Sequence, residues 1–127
     1  MSVDRLKRDL LNKLINARLD LAAYLQLRKA KGYMSVSESE NLRDNLFELC
    51  NYMREKAPTL KAQYADSELT ALRRSAEVLS IAGVCLMNGR HDCPNFIAVN
   101  AEKLENCLTT LSLCIMCLNK PETLVRQ

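Results

Sequence analysis

At 127 residues, with 48% apolar and 26% charged residues, the chain has the profile of one soluble globular domain, able to bury roughly two-thirds of its unfolded surface. Three Gly and three Pro are few turn residues for an all-β fold, so helices are expected. The net charge is only +3, but eight Lys or Arg against three Asp give residues 1–32 a net of +5, and the other 95 residues sum to −2.

No stretch reaches the roughly 18 uncharged apolar residues of a membrane span. The N-terminus alternates charges (MSVDRLKRDLL) where a signal peptide would have an apolar centre. A cytoplasmic protein is expected, or one of a host-cell interior if the source is viral. Six cysteines stand at 50, 85, 93, 107, 114 and 117. With no sign of secretion they read as thiols, and Cys50, Cys85, Cys107 and Cys114 sit among Leu, Ile and Met as small hydrophobes.

Residues 3–31 contain no Gly or Pro and repeat apolar side chains at Val3, Leu6, Leu10, Leu14, Ala17, Leu21, Tyr24 and Leu25. That spacing of threes and fours predicts one helix, about 43 Å long at 1.5 Å per residue. A compact domain of this length has a radius of gyration near 14 Å, so such a helix spans it or protrudes, and protrusion favours a dimer. Lys29 and Lys31 suit the negative end of the helix dipole, and Gly32 supplies the stop.

Residues 33–36 read as a connection, with Ser37 and Glu40 at the spacing of a capping box. Leu42, Leu46, Leu49, Cys50 and Met53 give the second helix one apolar face, and Pro58 is expected to end it. Residues 59–65 are ambiguous, with Leu60 and Tyr64 spaced for a single turn. Asp66 or Ser67 is the expected cap of a third helix running to about residue 88, with Leu69, Leu72, Ala76 and Leu79 inward and Arg73, Arg74 and Glu77 outward. Residues 81–87 (IAGVCLM) carry no charge, which predicts that this end is surrounded, with the C-terminal helix as the natural neighbour. Gly83 in that run would let another helix approach closely.

Residues 89–95 (GRHDCPN) read as a loop, and the last helix begins between Asn95 and Asn100 and ends before Pro121, leaving 122–127 as a loose tail. In residues 104–118 a broad stripe is made by Leu104, Cys107, Leu108, Leu111, Cys114, Ile115 and Leu118, while Leu113, Met116 and Cys117 fall on the other side. An ordinary surface helix carries charge there. This one is expected to be sandwiched within its own domain or closed over by a second molecule.

His91, Cys93, Cys114 and Cys117 are zinc-type ligands, but the CIMC run lies inside an apolar helix rather than on a turn. Some 20 residues of helix, about 30 Å, would separate His91 from Cys117. A redox role for the CxxC is disfavoured because it falls near a helix C-terminus, where the dipole opposes thiolate. One His, no buried carboxylate cluster and no glycine-rich loop leave no catalytic site to defend. Lys7, Arg18 and Lys29 recur every eleven residues along one side of the first helix, about 16 Å apart, and could lie across duplex phosphates. Other cations scatter among Asp4, Asp9 and Asp20, and stacking aromatics are scarce.

The expected fold is an all-α bundle of four main helices, or five if residues 59–65 add one, forming a single domain over 1–127. A long N-terminal helix covers a buried centre made by residues 81–87 and the C-terminal helix. No metal and no cofactor is expected. The expected function is that of a non-catalytic binding protein, an adaptor, chaperone or inhibitor of a protein partner, working as a homodimer through Leu113, Met116 and Cys117. The alternatives are a duplex nucleic-acid binder using Lys7, Arg18 and Lys29, and a thiol or zinc sensor.

Overall fold

The structure is a computed structural model, and it describes residues 3–32, 34–87, 90–93, 96–98 and 100–119. The protein is an all-α bundle of four long helices and one short one: α1 (Val3–Lys31), α2 (Val36–Glu55), α3 (Ala57–Gln63), α4 (Asp66–Met87) and α5 (Ala101–Leu118). The long helices form a ring in which α1 packs on α2 and α5, and α4 packs on α2 and α5. The core is shared by all of them, with Leu10, Leu14, Leu21, Leu46, Leu79, Leu86, Leu104 and Leu111 fully enclosed. The N-terminal helix therefore forms one wall of the bundle instead of covering a centre built by residues 81–87 and α5. Among the described residues, no helix is long and apolar enough to cross a membrane.

Three short strands, which hydropathy patterning did not reveal, tie one end of the bundle together: β1 (Met34–Ser35), β2 (Arg90–Cys93) and β3 (Phe96–Ala98), in the order β1-β3-β2. Met34 pairs with Ile97 and Ser35 with Phe96, antiparallel, while β2 and β3 pair as a hairpin with an irregularity between Arg90 and Cys93. Part of the expected 89–95 loop is thus extended, paired backbone.

Gly32, at φ +84°, ends α1, its N–H donating to the Arg28 carbonyl, as the sequence predicts. The cap of α2 falls two residues before the expected one. Ser35 Oγ accepts from the Glu38 N–H at 3.0 Å, and Glu38 accepts from the Ser35 N–H at 2.9 Å. Both Ser35/Glu38 and Ser37/Glu40 have capping-box spacing. The earlier pair prevails because Met34 is buried and pairs with Ile97, holding the adjoining Ser35 extended, and because Lys31 reaches Glu38 at 3.1 Å. Pro58 opens α3 as well as following α2, since a proline in a first turn lacks only an N–H that would go unpaired. Asp66 lies within α4, where the expected side-chain cap is replaced by Glu68 accepting from the Ala65 N–H at 3.0 Å. Asn100 caps α5, accepting from the Lys103 N–H.

The N–H of Ser35, and after it the Lys31 ammonium, holds the Glu38 carboxyl below its ordinary range. A depressed folded pKa contributes stability that is present above the unfolded value, about 4.3, and lost as pH falls through the folded one. Glu38→Gln keeps an oxygen for the Ser35 N–H but removes the titration. Denaturation at about pH 6 and pH 3 should show the variant losing about 0.5 kcal/mol less than the parent, a small difference because the pair is partly solvated.

Besides the Lys31–Glu38 pair, further polar contacts lock α1 to its neighbours. Tyr24 and Ser39, both buried, share a hydrogen bond of 2.7 Å between α1 and α2. Tyr52 of α2 donates to Asp9 of α1 at 2.7 Å, and burial together with that carboxylate pushes its pKa up to about 12. The Lys7 ammonium lies 4.7 Å over the Tyr64 ring. Gly83 does permit a close approach, although the neighbour that uses it is α2 and not α5. A Cβ built on Gly83 would lie 2.5 Å from the Phe47 ring.

Candidate interaction surface

The inward stripe of α5 is buried at Leu104, Cys107, Leu111, Cys114 and Ile115, with Leu108 and Leu118 partly covered. Its outer side is open: Leu113 is 61% exposed and Met116 69%, while Cys117 is half-buried. The helix is therefore not sandwiched within its own domain. Residues 81–87 are likewise not surrounded, since Ala82 and Leu86 are buried but Ile81 and Val84 stand at about 40% exposure.

Helix geometry divides the three predicted interface residues. Cys107 lies against Cys85 of α4, and burial first, then that neighbouring thiol, raises its pKa. Cys114 and Cys117 continue the same flank, so Cys117 turns toward α4. Met116 belongs to the opposite flank with Leu108 and Ser112, toward α1. On α1, Asp9 contacts Tyr52 of α2 and Lys13 sits over its ring, so the flank carrying Leu11, Ile15 and Leu19 is the one beside α5.

The β1–β3 pairing places the C-terminus of α1 and the N-terminus of α5 at one end of the bundle. Leu19 lies twelve residues back from Lys31, and Leu113 twelve residues on from Ala101, so the two stand at the same height. Leu19 is 52% exposed. Leu19 on the outer side of α1 and Leu113 and Met116 on the outer side of α5 are thus large apolar side chains left uncovered by the bundle. The sequence reading missed Leu19, which four-residue spacing from Leu11 and Ile15 could have flagged.

Of the predicted phosphate-facing row, Lys7 is engaged with Tyr64, Arg18 is half-buried and Lys29 is exposed in the last turn of α1. The side chains of His91 and Cys93 and the 122–127 tail lie outside the described residues. Cys114 and Cys117 are free thiols on α5, and no metal-competent group of His, Cys, Asp or Glu forms among the described residues. The shifted pKa values there have structural causes. Tyr24, Tyr64 and Cys50 are raised by burial, and none of them converges with others on a pocket as an acid–base pair would.

A family model described as "Biofilm formation protein (YliH/bssR)" matches residues 1–126. The chain belongs to the YliH/BssR family. Within that family, the "Biofilm regulator BssR" of Escherichia coli strain K12 is 58% identical over 120 residues, covering 94% of each chain. The protein of the same description from Shigella flexneri matches to the same extent. No solved structure matches this YliH/BssR chain.

Proposed function

We propose that this member of the YliH/BssR family is a non-catalytic regulator that acts by contact with another protein. The contact face is the outer side of α5, and two copies close over it as a homodimer in the absence of a partner. The observation that carries this reading is the exposure of Leu113 and Met116, one turn apart on the outer side of α5. Apolar side chains grouped on one face of a monomer gain roughly 25 cal/mol per Å² when covered. The description of the relatives as regulators agrees with a protein that works through surfaces.

Sedimentation equilibrium at micromolar concentration tests it. The parent should run at twice the 14.4 kDa chain mass, and Leu113→Lys with Met116→Lys should run at 14.4 kDa with unchanged helicity. Two lysines buried in such a contact are expected to weaken it about a hundredfold or more. A parent that stays monomeric overturns the dimer. Salt-sensitive binding of duplex nucleic acid, abolished by Arg18→Glu and Lys29→Glu, would replace the protein-contact reading with the nucleic-acid one.

A further inference from the structure

On a different side of the bundle, the second half of α2, α3 and the first half of α4 enclose an open groove of about 450 Å³, a volume within the roughly 300–1,000 Å³ of small-molecule sites. Its floor is apolar and buried, built by Cys50, Met53, Leu60 and Leu72. The Cys50 thiol donates to the Ala76 carbonyl at 3.6 Å, so the most polar group of that floor is already partnered.

The rim is the opposite in character. Arg54 comes from α2, Lys61 from α3 and Arg73 from α4, all three exposed, and no Asp or Glu lines the groove. Among the described residues none of the three forms an ion pair, and Arg54 only donates to the Asn51 side-chain oxygen at 2.9 Å. Three unneutralised cations delivered by three helices around one apolar concavity create a positive potential at its mouth. They are complementary to a molecule with an anionic head and a hydrocarbon body.

We infer that this groove binds a small amphipathic anion of medium-chain length, its apolar body on Met53, Leu60 and Leu72 and its headgroup among Arg54, Lys61 and Arg73. The occupant is a free small molecule, and the inference is independent of the contact proposed for the outer side of α5. Neither element alone selects it: an apolar groove takes neutral hydrocarbons as well, and a cationic rim alone takes any anion.

Decanoate, decanol and acetate, added separately to the full chain and followed by amide chemical shifts, test this. Decanoate should shift residues of α2, α3 and α4 around the groove and bind about tenfold or more tighter than decanol, because charge-assisted hydrogen bonds supply the difference. Acetate should not bind measurably. Substituting Arg54→Gln, Lys61→Gln and Arg73→Gln together, all at exposed positions, should bring decanoate down to the affinity of decanol. Ala57→Trp, at the exposed lip, should obstruct both. The inference is overturned if decanoate fails to bind or binds no tighter than decanol. It is equally overturned if the triple variant keeps the preference, or if Ala57→Trp leaves decanoate binding intact.

Discussion

Leu111→Ala is expected to lower the unfolding free energy by about 3–5 kcal/mol, the range for a leucine removed from a core that cannot collapse around the gap. Leu111 is wholly enclosed at the middle of α5, where that helix meets both α1 and α4, so neighbours on two sides would have to move together to refill the space. A single domain has about 5–15 kcal/mol in total, and at about 4 °C per kcal/mol the midpoint should fall by about 10–20 °C. Leu113→Ala, two positions along the same helix, supplies the control. Its side chain is mostly in solvent, so a monomer should lose no more than about 0.5 kcal/mol. Thermal denaturation followed by circular dichroism separates the two. Equal losses at both positions would contradict the orientation of α5.

Ser39→Ala should cost about 1–3 kcal/mol, because it leaves the Tyr24 hydroxyl buried between α1 and α2 with no partner. Tyr24→Phe should be milder, at about 0.5–1.5 kcal/mol, since a helical serine can turn its hydroxyl to the carbonyl one turn back. The double variant, with both polar atoms gone, should be more stable than Ser39→Ala alone. Urea denaturation, with all four proteins compared in a double-mutant cycle, measures the coupling. Independent, additive losses would mean that the hydroxyls do not depend on each other.

Much of this fold could be read before any coordinates. The apolar spacing of α1 and the five inward residues of α2 follow from a single helix's periodicity, and Asn100 is one of two asparagines readable as the cap of α5; each is local. What escaped was non-local. Two S-x-x-E pairs compete for the start of α2, and the choice is made by the pairing of Met34 with Ile97, more than sixty residues away. Strands of two to four residues leave no periodicity to detect. Ser39 reads as one more polar residue in SESE, and its buried hydroxyl is intelligible only once Tyr24 is opposite it. The interaction face was half legible: Leu113 and Met116 were marked by the lack of charge around α5, whereas that neither α1 nor α4 covers them depends on how the helices pack. The cationic groove was not legible at all, because Arg54, Lys61 and Arg73 belong to three helices and look like ordinary solvated residues in each.

The seat of Phe47 on the bare backbone of Gly83 lies on the same α2–α4 seam as that groove, which continues from it past Cys50 and Ala76 to Arg54 and Arg73. Gly83 and Phe47 line none of the groove: the ring rests where a side chain at position 83 would otherwise stand, which lets α2 and α4 approach closely at that point. A single methyl group added at position 83 would have to turn that ring out of its seat or push the two helices apart there.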